Sequence, residues 1–142
     1  MKFKITIFVI ALALFAMLVS ACGTTTPFKS DALDGTSWEL VAISKHPPIE
    51  ESQISILFEG GQASGSSGCN RYGGGYKING DKIVFDAMAM TEMACADSDL
   101  MDQESEYMDH LGNAQRFEIR DGQLLIYWSD HEALTFDSNT TP

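Results

Sequence analysis

Only nine lysines and arginines, four prolines and three cysteines occur in 142 residues, and each scarcity removes a class of protein. The nine cations stand against 20 acids, a formal net charge of −11. Phosphate backbones and anionic headgroups repel such a surface, which excludes nucleic-acid binding and adsorption to a bilayer through a basic patch. The cysteines form no CxxC, and His46, His110 and His131 form no HxxxH, so the ligand spacing of a zinc site is missing and no metal or cofactor is expected. The twelve glycines make neither GxGxxG ahead of a helix nor GxxxxGK[ST], and no GxSxG occurs. Dinucleotide, P-loop and serine-hydrolase chemistry therefore have no signature here.

Long apolar runs are also lacking, with one exception at the start. Residues 5–19 are apolar apart from Thr6, follow Lys2 and Lys4, and lead to the small residues Ser20 and Ala21. This is the pattern of an export signal, and it is short for a spanning helix of roughly 20 residues. Leu18-Val19-Ser20-Ala21-Cys22 resembles a bacterial lipobox, so 1–21 is expected to be a lipoprotein signal peptide and Cys22 the lipidated N-terminus. More than one acyl chain on Cys22 anchors a protein stably, where a single chain binds only marginally. Gly23, in place of an aspartate, points to the outer membrane facing the periplasm. Cleavage takes away Lys2 and Lys4 but none of the 20 acids, leaving the mature part at −13. Residues 22–34, with Thr24-Thr25-Thr26-Pro27, suit a tether.

The remaining chain reads as short strands. Trp38, Leu40 and Ala42 alternate with Glu39, Val41 and Ile43, and further strands are expected at 54–58, 62–66, 76–78, 82–85, 116–120, 124–128 and 133–136. Gly60-Gly61, Asn79-Gly80 and Asp121-Gly122 mark tight hairpin turns, the last two of the type I′ kind in which both central residues have positive φ. Between them, residues 97–112 carry Leu100, Tyr107, Met108 and Leu111 at helical spacing. Asp97 or Ser98 stands at the cap and Gly112 at the stop. The acids at 97, 99, 102, 104, 106 and 109 are expected to form the solvated face. Residues 137–142 read as a tail.

The densest stretch is 65–97, where Cys69 and Cys95 bracket a glycine-rich turn, a hairpin and a methionine-rich run. The residues leave open a Cys69–Cys95 disulfide, a reduced buried pair, a metal site or a reactive thiol, and an oxidising envelope favours the disulfide. Arg71, beside Asn70 in the turn, is expected to tie loop carbonyls to a carboxylate such as Glu104 or Glu92, with ligand anchoring as its sharper alternative. Met88, Met90, Met93, Met101 and Met108 are expected to fill core.

The segment GSSGCNRYGGGYKINGDKIVFDAMAMTEMACAD with the acidic helix after it, and Gly35-Thr36-Ser37-Trp38-Glu39-Leu40 before it, resembles the META domain family, which includes the HslJ-like heat-shock lipoproteins. The likeness covers 35–136. It implies an α+β, mainly β fold: a strongly curved antiparallel sheet of about seven to eight strands, a half-barrel, with one packed helix. In fold alone it also resembles small lipoproteins that pilot secretin subunits through the periplasm. The resemblance carries over Cys69, Asn70, Arg71 and Tyr72 in the motif turn and Thr91 and Cys95 in the second motif, as structural or binding positions. It implies no catalytic residue. Glu92 departs from the pattern, standing where a basic residue is common after the threonine. The function expected is a non-enzymatic, stress-linked or secretion-linked binding module of the cell envelope, with a protein partner or a small apolar ligand. A thiol-dependent enzyme or redox protein using Cys69 is the alternative.

Overall fold

The structure, a computed structural model, describes residues 32–139, so Cys22, the signal segment and most of the tether lie outside the described residues. Nine strands and one helix follow in the order β1 (Thr36–Ile43), β2 (Ile54–Glu59), β3 (Gln62–Ser67), β4 (Arg71–Asn79), β5 (Lys82–Phe85), β6 (Ala89–Met90), α1 (Ser98–Gly112), β7 (Arg116–Arg120), β8 (Gln123–Tyr127) and β9 (Ala133–Ser138). All pairings are antiparallel. Eight strands hydrogen-bond in a ring, β1-β2-β3-β4-β5-β7-β8-β9 and back to β1, and β6 lies beside β4.

The sheet is therefore a closed barrel and not the expected half-barrel. Closure depends on the glycine-rich run, which the sequence presents as a turn. Gly73, Gly74 and Gly75 lie inside β4, whose first half pairs with β3 while its second half pairs with β5. At Gly74 and Gly75 a small residue is needed because the segment after β5 approaches closely. A Cβ on Gly74 would stand 2.8 Å from the Met88 sulfur, and one on Gly75 would stand 2.6 Å from Asp86 Oδ2. The ring is thinnest between β5 and β7, where Lys82 and Arg116 form the one register pair. Two flanking bonds complete that seam, Phe117 N–H to the Asp81 carbonyl at 2.8 Å and Ile83 N–H to the Gln115 carbonyl at 3.2 Å.

Period-two alternation sends one face of every strand inward, and an eight-stranded barrel is just wide enough for side chains to fill it. Ile56, Phe58, Ile83, Leu124, Leu134 and Phe136 are all fully buried there. Each contributes about 1.5–3 kcal/mol relative to an exposed side chain. In β1 the register against β9 shifts between Leu40 and Ala42. This bulge at Val41 turns Ile43 inward in place of Ala42, which simple alternation does not anticipate. Two residues ahead of Gly35 also belong to the barrel: Leu33 is fully buried and Asp34 accepts from Gly60 N–H at 2.7 Å. At the other end β9 extends through Ser138, and Asn139 N–H bonds the Ser37 carbonyl at 2.9 Å.

The hairpins follow their glycines. Both residues of Gly60-Gly61 and of Asp121-Gly122 have positive φ, as type I′ turns require. At the third hairpin the register pairs Asn79 with Lys82, so the turn is Gly80-Asp81, with positive φ at Gly80 alone. That is the type II′ pattern and corrects the expected Asn79-Gly80 turn. Helix α1 starts as expected, with Asp97 Oδ1 accepting from Asp99 N–H at 2.9 Å. Its last residue is Gly112, and Asn113 caps it, the Asn113 amide bonding the Asp109 carbonyl. The helix packs against β3, β5 and β9, strands spaced around the ring, and buries Tyr107 and Leu111 in the common core. Near its C-terminus His110 stacks on Trp128 with ring centroids 3.8 Å apart.

Candidate functional site: a buried clasp between Asn70 and Glu104

The stretch singled out in the sequence folds into one hydrogen-bonded cluster under the N-terminal half of α1. Gly68, at φ +107°, turns the chain out of β3 and sets Asn70 beneath the helix. Glu104 comes down from α1 with only 3% of its surface exposed. Its Oε2 accepts from Ser67 Oγ at 2.5 Å and from Asn70 N–H at 2.7 Å, and its Oε1 accepts from Asn70 Nδ2 at 2.8 Å. On the far side of the amide, Asn70 Oδ1 accepts from Thr91 Oγ1 and from Met93 N–H, each at 2.8 Å. Thr91 Oγ1 in turn accepts from Arg71 N–H at 3.1 Å. One asparagine thereby ties three segments: the β3–β4 turn, the run after β6, and the helix.

Burial pushes the Glu104 carboxyl up. The hydrogen bonds from Ser67, from the Asn70 side chain and from the Asn70 and Cys69 backbone together outweigh it, and hold the group below its ordinary value. Glu104 is thus a buried carboxylate satisfied by neutral donors. This corrects two expectations. Position 104 is not part of the solvated face, although Asp97, Asp99, Asp102, Glu106 and Asp109 are exposed. Nor does Arg71 pair with it: no carboxylate of the described residues lies within ion-pair distance of Arg71, which is exposed at the start of β4.

Cys69 and Cys95 form a disulfide with a sequence separation of 26, so both sulfurs are engaged. In the chain-entropy account a loop of that size contributes about 3.5 kcal/mol. Tyr72, on β4, points into the barrel, where its hydroxyl donates to the Ser55 carbonyl at 3.0 Å and lies 2.6 Å from the Tyr107 hydroxyl. The Ser55 bond takes the Tyr72 proton, so Tyr107 is the donor to Tyr72. Burial pushes both phenols up; the adjoining Tyr107 raises Tyr72 as well, whereas the bond to Tyr72 offsets part of the rise at Tyr107. Beside this pair, Gln103 accepts from Ile49 N–H at 2.6 Å and donates to Ser52 Oγ at 2.7 Å, fastening the β1–β2 connection to the helix.

Asn70, Arg71, Tyr72, Thr91, Cys69 and Cys95 are thus brought together as the sequence suggested, except that the Arg71 and Tyr72 side chains leave the clasp on opposite faces of β4. Ser67, Gln103 and Tyr107 were not anticipated as members. Glu104 carried a legible signal, since it falls on the 100, 104, 107, 108, 111 stripe of α1, where an acid implies a buried carboxylate with partners. The methionines divide. Met88 and Met108 pack against the core, whereas Met90, Met93 and Met101 are 42%, 57% and 41% exposed, because the segment carrying the first two runs along the outside of β4.

A closed eight-stranded antiparallel barrel with one helix held on it by a buried Asn–Glu clasp defines a class of small β-barrel domain. Residues 31–141 match the META domain, and the chain belongs to that family. A Burkholderia xenovorans protein solved by NMR is similar at 27% identity, with a TM-score of 0.64 over 77% of this chain and 85% of that one. A DUF4847 family protein from Bacteroides vulgatus shares the fold at 15% identity, with a TM-score of 0.57 over 78% of this chain and 97% of its own. No functionally curated protein matches the chain.

Proposed function

We propose that this protein is a lipid-anchored component of a bacterial cell envelope, held by Cys22 at the outer membrane and facing the periplasm. There it acts as a non-enzymatic, stress-linked or secretion-linked module that binds a protein partner. The observation that carries the partner reading is the exposure of Met90, Met93 and Met101 on segments fixed by one rigid network. Met90 Sδ lies 3.9 Å from Ser67 Oγ, the Met93 backbone is bonded to Asn70, and Met101 stands one turn ahead of Glu104. Thioether side chains are soft and adaptable, and a surface that presents several of them suits contact with another chain. The filled barrel interior favours such an outer-surface partner over a small apolar ligand. The alternative of a thiol-dependent enzyme asks for a free Cys69 thiolate, which the intact disulfide withholds, whereas a redox protein using Cys69 would instead need that bond to open and close.

The test is photocrosslinking in cells from positions 93 and 101, with position 84 on β5 as the control. A discrete adduct from 93 and 101 that is absent from 84 supports the reading. Identical neighbours from all three positions would overturn it. Cys22→Ser tests the anchor separately, since it should abolish incorporation of labelled fatty acid and release the protein from the membrane fraction.

A further inference from the structure

We infer that the outer face of β1–β4 carries a binding trough for short zwitterionic peptides, with Arg71 taking the carboxylate and Glu39 the amine. The cross-strand register places Glu39 opposite Ser55, Ser55 opposite Ser66, and Ser66 opposite Arg71. These residues form one straight row across four strands on the outward side. The two middle positions are serines, too short to fill the space between the long side chains at the ends. The result is a concavity of about 330 Å³ lined by Glu39, Gln53, Ser55, Ser66, Arg71 and Asn139, with an edge of Ile54.

Charge disposition favours a bipolar ligand. Lys77 is paired with Asp86, Arg120 with Glu118, and Arg116 lies over the Tyr127 ring. Arg71, like Lys45 and Lys82, has no such partner among the described residues, and of these three it is the one that lines the trough, in a chain where acids outnumber cations 20 to 9. A guanidinium at one end of a trough presents a fork suited to a carboxylate. The opposite end carries Glu39, with Asp137 as its next neighbour in register. Asp137 bonds Gln123 Nε2 at 2.8 Å and is not among the lining residues, so Glu39 is the acid that faces the trough. The amide and hydroxyl groups of Gln53, Asn139, Ser55 and Ser66 match the peptide groups between the two charges. Three strand spacings separate the ends, about 14 Å between backbones. With both side chains standing off the sheet at that separation, the gap suits three extended residues at about 3.4 Å each with a hydrogen bond at either end.

This inference stands apart from the partner reading, since the trough lies on the barrel wall and not on the clasp, and either can fail alone. The test is a titration of the oxidised domain with tri-alanine, followed by amide chemical shifts. Shifts are expected at residues 39, 55, 66 and 71. N-acetylated and C-amidated tri-alanine should each bind at least tenfold more weakly. Arg71→Gln should erase the difference between free and amidated peptide while keeping the preference for a free amine, and Glu39→Gln should do the reverse. Both changes are on exposed side chains, so folding is preserved. Equal binding of all three peptides, or no shifts at 10-fold excess over millimolar protein, would overturn the inference.

Discussion

Replacing Glu104 by glutamine keeps the shape of the side chain and exchanges one acceptor oxygen for an NH2 group. The remaining oxygen can still accept from Ser67 Oγ and Asn70 N–H, which leaves the new NH2 facing Asn70 Nδ2, donor against donor. Asn70 cannot turn its amide over to relieve this, because its Oδ1 is held by Met93 N–H and Thr91 Oγ1. One buried donor is therefore stranded, at a cost of about 2 kcal/mol, or roughly 10 °C in Tm for a domain of this size. Asn70→Asp alone sets two carboxylates against each other and costs at least as much. The double variant restores the bond with its polarity reversed, from the introduced amide at 104 to the introduced carboxylate at 70. The carboxylate oxygen that replaces Asn70 Nδ2 then faces the Met93 carbonyl, which that amide had bonded at 3.2 Å, acceptor against acceptor at about 2 kcal/mol, so the two changes should be coupled by about 2 kcal/mol. Urea unfolding of the oxidised domain, followed by the fluorescence of buried Trp38, measures each corner of the cycle. Additive effects of the single changes would refute the clasp as described.

The same carboxylate sets an acid limb. Because its folded value is lowered, Glu104 stabilises the domain fully above its unfolded value of about 4.3 and ceases to do so as pH falls through the folded value; Glu104→Gln should flatten unfolding free energy against pH in that window. Gly65→Ala puts a Cβ 1.9 Å from the Ser55 carbonyl oxygen and should cost about 3 kcal/mol or prevent folding. Gly73→Ala, whose Cβ meets nothing nearer than 3.6 Å, should stay within about 1 kcal/mol of the parent in the same unfolding experiment. The two phenols should respond unequally: Tyr72→Phe strands the buried Tyr107 hydroxyl and costs about 2 kcal/mol, whereas Tyr107→Phe leaves the Tyr72–Ser55 bond and costs about 1 kcal/mol. Thiol titration of the folded, non-reduced domain should find Cys69 and Cys95 unreactive, and Cys69→Ala/Cys95→Ala should lose about 3.5 kcal/mol.

Local chemistry made most of the elements legible in the sequence. Alternation and turn pairs located eight strands to within a few residues, and the apolar spacing of Tyr107 and Leu111 located the helix. Barrel closure was not legible, because a run such as Gly73-Gly74-Gly75 has no side chains from which alternation can be read. Its strand character comes from β3 on one side and, on the other, from β6 at Gly73 and the Asp86 N–H bond to the Gly75 carbonyl. The two-residue β6 is likewise set by its pairing with Tyr72 and Gly73 and by no propensity of Ala89 and Met90. At the clasp, the motif residues Asn70 and Thr91 stood out, but their chief partner did not. Glu104 looked like one acid among many until its place on the apolar stripe was weighed. Arg71 was misjudged for the complementary reason, since a cation in an acid-rich chain suggests a partner that the strand geometry directs it away from.

The barrel's first and last strands are ring neighbours, with Trp38 opposite Ser138, so the polypeptide enters and leaves the fold side by side. Such a ring has no privileged break. A short linker could join the two ends, and the chain could be opened instead at Asp121-Gly122, an exposed two-residue turn, leaving every ladder in place. A circularly permuted version of residues 32–139 should then fold to the same barrel, and it would let the helix and its clasp be presented from a different point of attachment.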